Sequence, residues 1–302
     1  MGPKLVLFLC SQAGGPDLLL GDHGQVTFQH SELSDPSESF CNAISVTKLT
    51  AAYRLLRAVT HTPQEGGNDI MSCGAGDDIA MGGVADDKID GGDGQDVLLG
   101  DFGDYDFLPE KQTNWRNSID YSTAEDDTWM GGALVHSMLA VGDDASYGGH
   151  DTIFGGNHDD FLIGGYGGDW LHGGAGQNDI TGGSATVGAA DSNDTITGGK
   201  DADVVLGDNG IISRKALCRG AKRPWPQQVT FERYATTTKY GGAGGEISRR
   251  VHPFDAMDLI GSGDTISVGA GDDRVWGQAG DDKARPAAYK RVLEYLSRYG
   301  IR

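Results

Sequence analysis

The sequence predicts an all-β solenoid of stacked coils, with irregular inserts and a short C-terminal amphipathic helix. Three observations support this fold class. Asp-Gly clusters recur every nine residues in three parts of the 302-residue chain. Glycine occupies 49 positions, roughly twice the ~7% usual in soluble proteins. Of the 44 acidic residues, 36 are Asp, and Asp with Gly is typical of turns and calcium loops rather than of helices.

The charge of the chain narrows the classes of partner. The formal net charge is -20, so the chain repels nucleic acid phosphates and anionic lipid surfaces, and we expect no nucleic-acid partner. No apolar run approaches the ~20 residues of a spanning helix, and we expect no membrane span. The four cysteines lie far apart without a CxxC pair and predict no metal site of their own. Divalent cations are the natural counterions of such a chain.

The period of nine is visible in the Asp positions. In each repeat an apolar or small residue follows the Asp by two positions, as Ile153 follows Asp151. Asn178 takes the Asp place once, and a seven-residue insertion follows Gly183. Three runs in one register are hard to produce by chance. The three blocks of candidate calcium ligands are Asp69, Asp78, Asp87 and Asp96; Asp151, Asp160, Asp169, Asp194 and Asp203; and Asp264, Asp273 and Asp282.

A longer unit lies above the nonapeptides. Residues 96–103 and 203–210 both end in Leu-Gly-Asp-x-Gly, and residues 17–24 repeat this ending. This pattern predicts three modules, the first of which has lost most of its repeats. We expect the chain to be part of a longer tandem array of such modules. The predicted segments are a truncated module end at 1–24, a spacer with a short helix at 25–65, calcium-roll blocks at 66–103, 150–210 and 255–284, an acidic aromatic insert at 104–149, a basic insert at 211–254, and a capping helix at 285–302.

The spacing of the glycines explains how such a repeat folds. Glycines at positions one, two and four of a repeat permit positive φ, so six residues turn sharply and present backbone oxygens inward. Three residues centred on the apolar one remain for a short strand. Two repeats then form one coil, and stacked coils give two parallel sheets. The pairs Ile89 with Leu98 and Leu162 with Leu171 are expected to face each other across a thin core.

That core is too slender to stabilise the coil alone, and stacked carboxylates repel each other. Several Ca2+ ions resolve both difficulties, because each needs 6 to 8 oxygens, roughly 2.3–2.6 Å away, which Asp carboxylates and glycine-loop carbonyls supply. Asn178 lacks the charge, and the insertion before Asp194 is expected to break the stacking, which weakens the prediction for Asp160 and Asp203. The expected carboxylate pairs are Asp69 with Asp87, Asp78 with Asp96, Asp151 with Asp169, and Asp264 with Asp282. Second acids at position five are expected to face solvent: Asp77, Asp86, Asp159, Asp272 and Asp281.

The repeats resemble a known family. Residues 91–99 and 164–172 match the GGxGxDxUx nonapeptide of the RTX, or hemolysin-type, calcium-binding repeats. The resemblance covers about a third of the chain strictly. It implies a right-handed parallel β-roll, also called a β-helix solenoid, with calcium bridging successive turns. It also implies that secretion is coupled to folding, since the chain stays loose in low-calcium cytoplasm and folds after export.

The segments between the repeats give weaker patterns. Apolar spacing over Val46 to Val59 predicts a short packing helix. The aromatic insert at 104–149 is expected to form loops on the roll. The basic residues of 211–250 predict a solvated loop or a surface for an anionic glycan or a neighbouring acidic roll. From Pro286 onward the spacing predicts the amphipathic helix, which caps the open end or touches a membrane surface. Residues 1–13 are consistent with a weak signal peptide, which has only a short apolar core, or with a buried first strand.

Catalysis finds little support in the sequence. There is no HExxH, GxSxG, P-loop or strand-linked GxGxxG motif, and the histidines are scattered. We therefore expect no enzyme. The expected function is calcium binding by stacked turns in a structural or adhesive module of a secreted or surface protein. An extracellular or cell-surface location supplies millimolar calcium. The alternative is the non-catalytic tail of a secreted hydrolase, which flanking sequence in the gene would reveal.

Overall fold

The computed structural model describes residues 6–9, 17–30, 53–60, 66–106, 129–131, 135–137, 148–186, 188–215, 233–234, 245–254, 261–280 and 282–286. Within these ranges the chain forms 24 β-strands and no helix. The prediction of an all-β solenoid is confirmed. No helix among the described residues is long and apolar enough to cross a membrane.

Two parallel sheets form the roll. The first roll sheet has eight strands, in the order β1 (Val6–Leu9), β5 (Asp69–Ala75), β7 (Lys88–Asp93), β12 (Thr152–Asn157), β14 (Trp170–Ala175), β16 (Thr195–Gly199), β22 (Thr265–Gly269) and β24 (Lys283–Pro286). The second roll sheet has seven strands, in the order β2 (Leu18–Leu20), β6 (Ile79–Met81), β8 (Val97–Leu99), β13 (Phe161–Ile163), β15 (Asp179–Thr181), β17 (Val204–Leu206) and β23 (Arg274–Trp276). Successive repeats alternate between the two sheets, so two repeats make one coil.

The three blocks of repeats stack into one continuous roll. Ile89 of the first block is the parallel partner of Ile153 of the second, although 64 residues separate β7 from β12 in register. Ile196 is likewise the partner of Ile266 in the third block. The expectation that the insertion before Asp194 breaks the stacking is wrong. β14 pairs with β16 across that insertion, because its extra residues leave the coil at a turn and the strands keep their register.

The roll has an inner core between its two sheets. The strands of both sheets other than β1 and β24 contribute a central apolar side chain, and Ile89, Leu98, Leu162 and Leu171 lie together there with no exposed surface. Strands of the first roll sheet alternate between buried and exposed side chains, as in β5 and β7. This alternation is typical of a sheet with one solvated face.

The five central strands of the second roll sheet are buried on both faces. All three residues of β6, β8, β13, β15 and β17 are buried. The outward-facing side chains, such as Phe161 and Leu206, form an outer core with residues of the inserts, including Ala58, Ile212 and Phe254. The inserts thus form a third layer, which we call the insert layer, against the second roll sheet.

Antiparallel strands build the insert layer. From the first insert come β3 (Gly24–His30) and β4 (Tyr53–Thr60); from the second come β9 (Gly103–Asp106), β10 (Trp129–Gly131) and β11 (Val135–Ser137); from the third come β18 (Gly210–Lys215), β19 (Arg233–Tyr234), β20 (Glu246–Ile247) and β21 (Arg249–Pro253). β4 pairs with β3 and with β9 of the next insert. β18 pairs with β21 and with β10 of the preceding insert. The second insert is therefore tied to both of its neighbours.

Two expectations for the inserts are corrected by these strands. The helix expected over Val46–Val59 is wrong where the structure describes it, since residues 53–60 form β4. Pairing with β3 and β9, and burial of Ala58, Val59 and Thr60, outweigh a helical apolar spacing that was only a local preference. The loops expected in 104–149 include β10 and β11 for the same reason.

The chain ends bear on two further expectations. Val6–Leu9 pairs in parallel with β5 and adds a strand to the first roll sheet. At the other end, Lys283–Pro286 forms β24 against β22, so the expected capping helix does not begin at residue 285. The rest of the helix expected over 285–302 lies outside the described residues.

Candidate metal sites along the two edges of the roll

Asp side chains form a ladder along one edge of the roll, which we call the first edge. Each Asp accepts, through Oδ1, a hydrogen bond from the backbone N–H of the corresponding Asp one coil earlier. The N to Oδ1 distances run from 2.7 to 3.0 Å. The members of the first edge are Asp69, Asp87, Asp151, Asp169, Asp194, Asp264 and Asp282.

The opposite edge, which we call the second edge, repeats this geometry. It starts with the N–H of Asp17, which donates to Asp78 Oδ1 at 2.6 Å. Its members are Asp78, Asp96, Asp160, Asn178, Asp203 and Asp273. All twelve Asp residues selected from the sequence lie on these two edges, and the four expected pairs are neighbours in successive coils.

The second carboxylate oxygen of these Asp residues points at the interior of the turn. In nine of them Oδ2 is buried and has no hydrogen-bond partner. A buried carboxylate oxygen without a donor is costly, and such atoms in a protein mark a ligand or a stored strain. The nine residues are Asp78, Asp87, Asp96, Asp151, Asp160, Asp169, Asp194, Asp203 and Asp264.

Eight of these nine oxygens, all except that of Asp78, lie beside the first glycine of their turn, where a side chain has no room. A Cβ atom added to Gly155 would lie 2.5 Å from Asp160 Oδ2 and 2.6 Å from the carbonyl oxygen of Gly173 in the next coil. We call this space, lined by a carboxylate oxygen and a backbone carbonyl, a cradle. Further cradles lie at Gly82, Gly91, Gly100, Gly164, Gly182, Gly198 and Gly207.

The donor set of a cradle decides which cation fits. Within the ranges that the structure describes, no group of three or more His, Cys, Asp or Glu side chains is placed to hold a metal ion. A cation at a cradle would therefore be held by carboxylates of successive turns and by backbone carbonyl oxygens. Oxygen-only ligands in a flexible turn suit calcium and do not suit zinc, which takes nitrogen and sulfur ligands.

Burial makes the edge carboxylates costly to ionise in the absence of a cation. Burial away from water raises the pKa of Asp87 to about 9 and the pKa values of Asp96 and Asp264 to about 8. Neighbouring carboxylates raise them further, and the backbone N–H bonds to the ladder oppose the rise. Toward the ends of the second edge the pKa values of Asp78 and Asp273 rise only to about 6, again chiefly by burial. A bound divalent cation inverts this tendency and holds such carboxylates ionised.

Three further Asp residues belong to the edges and were missed from the sequence. Asp101 accepts the N–H of Gly149 at its Oδ1 (3.2 Å) and that of Tyr166 at its Oδ2 (2.5 Å). Asp22 bonds Gly67 and Val84 in the same way, and Asp208 bonds Ser262 and Ala279. The signal was present, since each is the Asp of a Leu-Gly-Asp-x-Gly ending.

The role of these three residues follows from where the inserts leave the roll. Gly100 and Asp101 begin a six-residue turn that ends at Asp151, and the second insert is spliced between Asp101 and Gly148. The Asp101 carboxylate spans the gap, joining the returning strand to the next coil. All three long inserts interrupt turns of the first edge in this manner, and we call these turns split turns.

Three acids at position five, which were expected to face solvent, each accept a backbone hydrogen bond, and two of them are half-buried. Asp86 is exposed, yet its Oδ1 accepts the N–H of His150 one coil later at 2.9 Å. Two half-buried members make the equivalent bond, Asp77 with Gln95 at 2.9 Å and Asp159 with Gln177 at 2.8 Å. Asp281 lies outside the described residues.

The basic insert also departs from expectation. Arg214 and Arg249, assigned from the sequence to a solvated loop, are buried in the outer core. Their Nε atoms lie 2.6 Å and 2.5 Å from the two carboxylate oxygens of Asp179, and all three side chains have no exposed surface. Asp179 occupies the place of Phe161 and Val204 in neighbouring coils. In the sequence, Asp179 could be recognised as a charged residue at a position where neighbouring repeats are apolar. Its arginine partners lie too far along the chain to be identified from residue spacing.

The comparison with protein families agrees with this geometry. A family model described as RTX calcium-binding nonapeptide repeat matches residues 74–105, 146–165, 154–185, 189–211 and 261–284. No curated protein and no solved structure matches the chain. The matched ranges contain nearly all the turns that carry orphaned Asp oxygens and glycine cradles. Over these ranges the chain carries repeats that match the RTX calcium-binding nonapeptide-repeat family.

Proposed function

We propose that the chain is a structural or adhesive module of a secreted or surface protein, and that calcium ions seated in the cradles of both edges hold it folded. One observation carries the proposal. Nine buried Asp Oδ2 atoms have no hydrogen-bond partner, and each cradle adds a carbonyl oxygen of the next coil. The residues that hold the ions are the twelve Asp residues of the two edges.

The charge distribution makes the fold depend on the cations. The ladders stack one carboxylate above the next in successive coils, and the whole chain has a net charge of -20. Like charges at such spacing in a low-dielectric turn oppose stacking strongly. Calcium removes this repulsion and crosslinks neighbouring coils, so the coil-to-roll equilibrium shifts toward the folded state by mass action.

The proposed setting is extracellular. Weak calcium sites of extracellular modules fill at ~10⁻⁴ to 10⁻³ M, and millimolar calcium is available outside the cell. Calcium coordination suits the edge carboxylates to neither general acid nor nucleophile chemistry, which supports a non-catalytic role. The alternative role, as the non-catalytic tail of a secreted hydrolase, uses the same calcium sites. A hydrolase signature in the flanking gene would favour the tail, and further repeats would favour the module.

The proposed partners are fewer than the sequence indicated. Arg214 and Arg249 serve internal ion pairs, so the surface for an anionic glycan loses two of its basic residues. A neighbouring repeat module remains a proposed partner, since β1 and β24 are the terminal strands of the first roll sheet among the described residues, and terminal strands of a sheet are templates for further pairing.

A calcium titration of the full chain tests the proposal. We expect far-ultraviolet circular dichroism to show a transition from coil to sheet with calcium and none with magnesium, with several ions counted per chain. Asp87→Asn should lower the number of calcium ions bound per chain, because Asp87 Oδ2 lines a cradle. The control Asp86→Asn makes the same charge change at a neighbouring exposed residue and should leave this number unchanged. A chain already folded in chelator that takes up no calcium contradicts the proposal.

A further inference from the structure

One coil of the second edge differs from its neighbours in chemistry. Asn178 stands where the adjacent coils have Asp160 and Asp203, and its side chain is fully buried. A Cβ atom added to Gly173 would lie 2.7 Å from Asn178 Nδ2 and 2.8 Å from the Gly198 carbonyl oxygen. The cradle at Gly173 therefore holds an amide nitrogen where other cradles hold a carboxylate oxygen.

The backbone fixes the orientation of this amide. Asn178 Oδ1 accepts the N–H of Asp160 at 3.0 Å, which is the ladder bond of the second edge. Turning the amide over would place its NH2 group against that N–H and lose the bond. Nδ2 is thus directed at the cradle, where it donates to the Gly176 carbonyl oxygen at 3.2 Å. An N–H donor in this position repels a cation.

Two guanidinium groups satisfy further carbonyl oxygens in the same turns. Arg214 Nη1 and Nη2 donate to the carbonyls of Asp159 and Asp160, each at 2.7 Å. Arg249 Nη2 donates to the Gln177 carbonyl at 2.7 Å, and its Nη1 donates to the Ala202 carbonyl at 3.1 Å. Three successive turns of the second edge are therefore joined by side chains from β18 and β21.

These arginines also supply positive charge inside the protein. They share the single carboxylate of Asp179, which leaves an excess of positive charge beside the edge. Arg214 bonds the carbonyl oxygen of Asp160, and Arg249 bonds that of Ala202, so both charges lie beside the turns that end at Asp160 and Asp203. The coil thus has an internal counterion where the rest of the roll depends on an added one.

We infer that the coil of Gly173–Asn178 takes no calcium and is a metal-independent anchor of the roll, locked to the insert layer by Arg214, Arg249 and the Asn178 amide. The anchor also has apolar support on both sides, since Ile180 of β15 lies in the inner core and Ile247 of β20 lies in the outer core. Residual structure without calcium is then concentrated around β15, β17, β18 and β21. The inference rests on the proposed function for the remaining cradles.

Counting bound calcium tests the missing site. Asn178→Asp restores a carboxylate to the Gly173 cradle, and we expect the full chain to bind one ion more than the wild type. Gln95→Asp is the matched control, because it adds the same charge at position five of another turn of this edge and should add no ion. A wild type that binds no calcium overturns the proposed function. A wild type that binds calcium, with no gain in Asn178→Asp, overturns the assignment of the calcium-free coil alone.

Hydrogen exchange of the calcium-depleted full chain tests the anchor. We expect amide protection in β15, β17, β18 and β21 to exceed that in β6 and β8 by ~10-fold or more, because local opening free energies follow local interactions. Arg249→Met should abolish the difference. Uniform protection in the depleted wild type, or protection centred on β6 and β8, overturns the anchor. The wild-type measurement decides this even if the variant does not fold.

Discussion

The substitution Asp179→Asn tests the outer core at its buried ion pairs. The Asp179 carboxylate bonds the Nε atoms of Arg214 and Arg249 through separate oxygens, and none of the three side chains is exposed. Asn has nearly the same volume, so packing is conserved and the change is electrostatic. Its oxygen can accept from one guanidinium, but its NH2 group then faces the other.

The magnitude follows from what is left behind. Removing one partner of a buried ion pair costs about 3–5 kcal/mol, because the remaining charge stays buried without compensation. Burial already lowers the pKa of Arg249 and Asp179 opposes that effect, so loss of the carboxylate leaves two desolvated cations facing each other. We expect the free energy of unfolding to fall by about 3–5 kcal/mol, which is a change of more than ~100-fold in the folding equilibrium.

Equilibrium denaturation in saturating calcium measures this loss, with tryptophan fluorescence and circular dichroism followed together to check for a two-state transition. The control is Glu246→Gln, which breaks the pair with Arg274 (Nη2 to Oε1 2.5 Å), where the arginine side chain is 43% exposed. Surface pairs contribute at most about 1 kcal/mol. If Asp179→Asn costs no more than Glu246→Gln, the ion pairs do not stabilise the insert layer as argued here.

Three further predictions test the edges. Gly155→Ala should lower the calcium count by about one ion, since its Cβ fills the cradle of Asp160, whereas Gly74→Ala meets no atom within 4 Å and should show only the strain of its positive φ (104°) in thermal melts. The calcium-depleted chain should lose stability as pH rises from about 4 to 9. Burial raises the pKa values of Asp87 and Asp96 to about 9 and 8 in the fold, so the folded state holds protons that it must release as pH rises. A melting temperature that increases with pH over this range contradicts the prediction. Asp101→Ala should destabilise the split turn by about 1–3 kcal/mol for each backbone N–H left without an acceptor, and this should be measured as faster amide exchange in β9 and β12. The control Asp90→Ala, at an exposed residue, should have little effect on exchange.

The sequence predicted the roll because its determinants are local. A turn of six residues and a strand of three residues repeat within nine positions, so the register of Asp and apolar residues defines both edges and the inner core. The candidate carboxylates were therefore identified residue by residue. Asn178 was recognised as an exception in charge, but the direction of its NH2 group depends on the ladder bond from Asp160, which only the fold shows.

The features that the sequence did not predict are those set by distant contacts. Tyr53–Thr60 has a spacing that fits a helix, and its strand is decided by β3 and by β9, which lies more than forty residues away. Arg214 and Arg249 read as surface charges until β18 and β21 are placed against β15. In both cases the missing information is what packs against the outer face of the second roll sheet, because the nine-residue repeat specifies a turn and a strand but not what covers them.

Split turns explain how a thin roll tolerates long inserts. In an uninterrupted turn the chain itself joins Gly164 to Asp169. In the split turn that joins Gly100 to Asp151, the Asp101 carboxylate holds the returning strand to the next coil. Asp151 Oδ2 and the Gly164 carbonyl oxygen line the cradle at Gly100 and, in the proposed function, would be ligands of a calcium ion there. The entropic cost of closing a loop grows only slowly with its length. The same carboxylate contacts can therefore close a split turn around inserts of very different lengths. The insert strands pack beside the second roll sheet and bury the outer face of its central strands. In the proposed function, calcium at the first edge would therefore also fix the points at which the inserts leave the roll.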